Sequence, residues 1–151
     1  MIIHFLPQDG EPQRYDAGRL RASEIQKVES TAGANWRDVK EAMRNGDINA
    51  LRTVAYVVRK RGEPTLKFGE FDPFEDELRV KLDDREVRHY AEGFVEKYGD
   101  SPEDLADAFD ELREAADNPE VAEQAIADVT APKDPAPAQV PEESPASLSV
   151  A

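Results

Sequence analysis

The chain has 151 residues, a net charge of -14 and a sequence pI near 4.5. It contains no cysteine, which excludes disulfides, thiolate nucleophiles and cysteine-ligated zinc, and its two histidines leave little for metal or proton-transfer chemistry. Leu, Ile, Val and Phe number 32, so a core forms only if these residues cluster. No apolar run reaches the ~20 residues that span a bilayer and no basic-then-apolar leader opens the chain, so neither membrane segment nor secretion signal is expected.

The charge is unevenly placed. Residues 1 to 68 carry 12 basic and 9 acidic side chains, a net of +3, while residues 69 to 151 carry 7 basic and 24 acidic ones, a net of -17. Such an acidic half repels phosphates, so free nucleic acid is not an expected partner.

In chain order, Ile2 to Leu6, an Asp9-Gly10 turn and a polar run to Tyr15 predict a β-hairpin. Ser23 with Gln26 reads as a capping box for a helix bearing Ile25, Val28 and Ala32 and ending at Gly33. Asn35 caps a second helix with Trp36, Val39 and Met43 on one face, stopped by Gly46. Asp47 then caps a third helix carrying Ile48, Leu51, Val54, Ala55 and Val58. Thr53 to Val58 has almost no polar face, so this helix is expected at the centre, with Arg59, Lys60 and Arg61 complementing its C-terminal dipole.

From Glu63 to Asp84 the helical period is lost. An ordered loop is expected to lay its aromatics on the helices, with Leu78, Val80 and Leu82 alternating like a short strand. Asp84 to Tyr98 predicts a helix with Val87, Tyr90, Phe94 and Tyr98 on one face; Ser101 and Pro102 open another with Leu105, Phe109 and Leu112 inward. Asn118 and Pro119 open a weak last helix to about Ala127, and the prolines beyond Thr130 read as a disordered tail. The expected class is mainly α: a helical core domain with an N-terminal hairpin over 1 to 99, an acidic helical extension over 100 to 129 and a Pro/Ala-rich tail over 130 to 151.

No constellation for catalysis emerges. His4 and His89 lack partners at metal-ligand spacing, no glycine-rich phosphate loop is present, and the acids from Asp72 to Asp84 miss the spacing of a calcium loop. An enzyme is the least expected class, and no cofactor or metal is expected. The candidate residues are instead partner-binding ones: Trp36, Tyr56, Arg59, Arg61, Leu66 and Phe68. Trp36, Val54, Tyr56 and Phe68 read first as core packing, whereas the junction of Arg59, Lys60, Arg61, Pro64, Leu66 and Phe68, with cations flanking apolar groups, suits the rim of a groove for another protein.

The ordered set Glu29, Gly33, Trp36, Gly46, Asp47, Tyr56, Val57, Val58, Lys60, Arg61, Pro64, Leu66, Phe68, Glu70 and Asp72 resembles the tail assembly chaperones of long-tailed, siphovirus-type bacteriophages. That resemblance implies a protein that binds the tape-measure protein, keeps this long apolar helical chain soluble, and helps tail-tube subunits polymerise around it before leaving. It further implies action in the host cytoplasm, absence from the mature virion, and a frameshifted long form beginning near the tail. Two other readings remain: an acidic DNA mimic that blocks a nucleic-acid-binding protein, and a structural virion component of the tail or connector.

Overall fold

The computed structural model describes residues 1 to 133; the expected tail beyond them lies outside the described residues. Three strands, β1 (Ile2–Phe5), β2 (Gln13–Asp16) and β3 (Leu78–Lys81), and six helices make up the fold. The helices are α1 (Ala22–Ala32), α2 (Trp36–Arg44), α3 (Ile48–Arg59), α4 (Asp84–Tyr98), α5 (Pro102–Ala115) and α6 (Pro119–Thr130). The mainly α class with an N-terminal hairpin is as expected, and the alternating segment from Leu78 is the third strand.

β1 lies at the centre of the sheet, antiparallel to both neighbours. The register sets Ile3 between Tyr15 and Val80, and Phe5 between Gln13 and Leu78. Because side chains alternate, Met1, Ile3, Phe5, Tyr15, Ala17 and Leu78 share the face that closes on the helices. Against that face lies α3, buried at Ala50, Leu51 and every residue from Thr53 to Val58. β-branched residues are stiff and helix-poor, so burial rather than propensity holds this segment helical. Thr53 satisfies its own hydroxyl by donating to the Asn49 carbonyl at 2.7 Å.

Caps decide where α2 and α3 begin. Asn35 accepts from the Asp38 amide and Asp47 from the Ala50 amide, as their positions before the helices imply. Gly33 and Gly46 both take positive φ, 66° and 76°, the left-handed conformation in which glycine carries no Cβ penalty. The expected box of Ser23 with Gln26 is not formed. α1 starts two residues earlier, with Arg21 at the cap position and no side-chain cap bond. A long-range contact sets that start: Arg61, from beyond α3, donates to the Arg19 carbonyl and pairs with Glu24 at 2.5 Å.

A second core forms from α4, α5 and α6, around Val87, Ala91, Phe109, Leu112, Ala122, Ala125 and Ile126. Packing thus divides the chain near Leu82, with α4 joining the acidic helices rather than the N-terminal core. The expected inner face of α4 is rotated: Val87 and Ala91 are buried, while Tyr90 is 41% exposed. Alanine explains the rotation, since Ala91, Ala122 and Ala125 let α4 and α6 approach closely where a tyrosine would hold them apart. α6 also runs to Thr130, past the expected Ala127; Val129 packs on the second core and the Thr130 hydroxyl donates to the Ile126 carbonyl.

The two cores are joined at the opposite face of the sheet. The Leu82 amide donates to the Ala115 carbonyl and the Asp117 amide to the Leu82 carbonyl, at 2.8 and 2.9 Å. Asp117, its side chain 10% exposed, pairs with His4 of β1 and, at 2.8 Å, with Arg14 of β2. Burial by itself pushes the Asp117 carboxyl up, but the bonds from Arg14 and His4 outweigh it and hold the group below its ordinary value. At the sheet's other end the Met1 ammonium pairs with Asp83 and Glu86, the capping box of α4.

Two outcomes follow. Val54→Ala in the first core and Val87→Ala in the second, both at 0% exposure, should each cost about 2 kcal/mol. Both should shift one shared transition in urea unfolding followed by circular dichroism; two separate transitions would show that the cores unfold independently. For Asp117, a depressed folded pKa means stability that is present above the unfolded value of about 4 and lost as pH falls through the folded one. Asp117→Ala should therefore cost about 2 kcal/mol at neutral pH, and the gap to the parent should close when the same titrations are run in increasingly acid buffer.

Candidate functional site

The resemblance-bearing residues lie on α1, α2, α3 and the loop that follows, and the structure brings part of the candidate set together. Tyr56 is 6% exposed; its hydroxyl donates to the Leu66 carbonyl at 3.2 Å and its ring meets Phe68 edge to face at 5.2 Å. Tyr56, Leu66 and Phe68 thus form one cluster where the chain doubles back past the end of α3. Leu66 and Phe68 are half-buried, packed against the first core.

The two arginines point elsewhere. Arg59 pairs with Glu63 at 3.1 Å and lies 5.7 and 5.4 Å from the ring centres of Phe5 and Phe71. Arg61 turns to α1 and Glu24, which raises the guanidinium pKa and lowers that of the carboxyl, each through their mutual hydrogen bonds first. Arg61 lines one groove with Lys60 and Pro64, while Phe68 lines another. Trp36 stands apart at the start of α2, where its amide donates to the Glu29 carboxylate at 2.8 Å.

The cation that does organise this region is Arg52. Its guanidinium lies 4.0 Å from the Phe68 ring centre and donates to the Phe68 and Phe71 carbonyls at 3.0 and 2.7 Å. Arg52 thereby fastens the short 3-10 turn Phe68–Glu70 to α3 and turns the aromatics of the loop toward the helix. Its sequence signal is a lone cation in an apolar helix, one turn before Tyr56. The loop lays Phe68 and Phe71 on the helices as expected, but Phe74 is 67% exposed, because Pro73 and the capping of the Phe74 amide by Glu77 carry the chain away from α3.

Beside Phe68 opens a groove of about 390 Å³ between α1, α2 and α3. Val39, Ala42, Ala50 and Phe68 give it an apolar lining, and Asp38, Asp47 and Arg52 are polar members of its wall. Its size falls in the range of ligand pockets and of single anchoring side chains from a partner helix. Among the described residues no cluster of three or more His, Asp or Glu side chains is placed to hold a metal ion, and no helix is long and apolar enough to cross a membrane.

Removing Arg52 should free the loop while leaving the helices formed. In Arg52→Ala, trypsin should cut after Lys67 markedly faster than in the parent, with unchanged far-ultraviolet circular dichroism; equal cleavage rates would show that the loop is held without it.

Comparison with protein-family models, curated proteins and solved structures gave no match.

Proposed function

We propose that the chain is a tail assembly chaperone of the long-tailed bacteriophage type, which binds the tape-measure protein, keeps it soluble and promotes tail-tube polymerisation around it. One observation carries the reading: several residues of the resemblance have definite local roles, two groups of them by contact with one another. Glu29 holds the Trp36 amide, Gly46 takes the left-handed turn before the Asp47 cap, and Tyr56 binds Leu66 and Phe68. The groove beside Phe68 supplies the physical means, since its apolar floor suits side chains projecting from an amphipathic helix. The acidic α5 and α6 suit the other half of the task, because surplus negative charge discourages a client-bound complex from self-association. Many weak copies along one long client would gain strength by repetition, without a single tight site. The proposed place of action is the host cytoplasm, and the protein would be absent from finished particles; a structural tail or connector subunit would instead be recovered in them.

A DNA mimic is the second reading, and one observation favours it. The acids from Asp100 to Asp128 lie on or beside two ordered helices, and a mimic needs carboxylates held at fixed spacing. Displacement of DNA from an immobilised DNA-binding protein, lost at high salt, would support it.

The chaperone reading is tested by co-expression with a tape-measure protein. The client should be recovered in the soluble fraction only when this chain is present. Ala42→Arg, which fills the groove, should lower that recovery about tenfold if an apolar anchor worth roughly 1.5 kcal/mol is displaced, with circular dichroism unchanged. Client that is soluble in both cases overturns the proposal.

A further inference from the structure

A separate cleft is unrelated to the resemblance. It has a volume of about 530 Å³ and lies between α2 and the first turns of α4, over a floor that includes Met43 and Ala17. Lys40 and Arg44 stand on one wall, and Arg85 and His89 on the other. Each pair is spaced i, i+4, so each wall presents two cationic or imidazole groups separated by about 6 Å along its helix. Like charges at that spacing destabilise a helix; Lys40 and Arg44 are such a pair, and Arg85 lines the same cleft.

Among the described residues none of these four side chains takes part in an ion pair, a condition they share with most cations of the chain, since only Arg14, Arg59, Arg61 and Arg113 are paired with carboxylates; what sets these four apart is that they line one cleft. Lys40 touches only the Trp36 ring, 5.8 Å from its centre, which leaves its ammonium donors unused. The acids on the wall, Asp83 and Glu86, are turned to the Met1 ammonium and to the backbone of their own capping box. The cleft is thus a local concentration of uncommitted hydrogen-bond donors with positive charge, on a chain whose net charge is -14. The opposing field of the distant acids fades beyond a Debye length of about 8 Å at physiological salt, so the nearby cations decide what enters.

We propose that this cleft binds a small polyanion with at least two negative groups about 6 Å apart, such as a linear polyphosphate moiety or a di- or tricarboxylate. The volume is that of a small-molecule site, and the two rows match a ligand lying between the helices. Arg44 and Arg85 are assigned the charge-assisted, forked bonds, with Lys40 and His89 completing the rows. The inference does not rest on the chaperone reading and stands or falls separately from it.

The test is isothermal titration calorimetry of the full chain with inorganic tripolyphosphate and, separately, with citrate. Saturable binding of one equivalent is expected for at least one probe. Binding of tripolyphosphate alone identifies a phosphate site, of citrate alone a carboxylate site, and of both a site that reads charge and spacing. Arg44→Glu and Arg85→Glu should each weaken binding by about tenfold or more, whereas Lys27→Glu, the same charge change outside the cleft, should leave it within about twofold. If a reversal disturbs folding by circular dichroism, Arg44→Gln and Arg85→Gln carry the comparison. Absence of saturable binding by both probes overturns the proposal, as does a Lys27→Glu loss equal to that of the cleft variants.

Discussion

The fold depends on β1 being paired on both edges. One edge is closed by a hairpin only a few residues away, the other by β3, more than seventy residues later in the chain. Loop closure over that distance costs entropy that grows only slowly with length, and the return is large. Closing β3 onto β1 completes the apolar sheet face that receives α3, and it delivers Leu82 to the carbonyl and amide at the end of α5. Each core therefore takes one of its walls or anchors from the same pairing.

Asp117 shows how economically the second attachment is made. A carboxylate with little exposure answers a histidine on β1 and an arginine on β2, while its own amide binds the Leu82 carbonyl. Removing a buried carboxylate from water is costly, and two partners with near-ideal reach offset the cost. Such a contact fixes orientation better than an apolar patch would, because it is satisfied in one geometry only. It ties the acidic helices to the sheet without lending them any of the first core's apolar surface.

Elements governed by local chemistry were legible in the sequence: the Asn35 and Asp47 caps, the glycines that end α1 and α2, and the burial of α3 all follow from neighbouring residues. Elements governed by distant contacts were not. Arg61 sets the start of α1 from beyond α3, displacing a plausible Ser23 cap. Small residues on α6 choose which face of α4 turns inward, overruling an aromatic spacing that looked decisive. The candidate site divides likewise. Tyr56, Leu66 and Phe68 meet because the loop doubles back past the end of α3, whereas Arg59 lies near the Phe5 and Phe71 rings and Arg61 pairs with Glu24 of α1. Arg52 carried little signal because its role is to bind backbone carbonyls, which leave no trace in residue type.

The alanine seam between α4 and α6 has a thermal consequence. Four of the eight buried apolar residues in the second core are alanines, while the first is built largely from Ile, Val, Leu, Met, Phe and Tyr. Unfolding heat capacity follows the apolar area exposed, so the first core supplies most of it and the second little. Cooling thus loosens the grip around α3 more than the grip between α4 and α6, whose closeness is held by dispersion contacts that change little with temperature. Among the described residues, the core of α4, α5 and α6 is therefore expected to lose less of its grip on cooling than the core around α3.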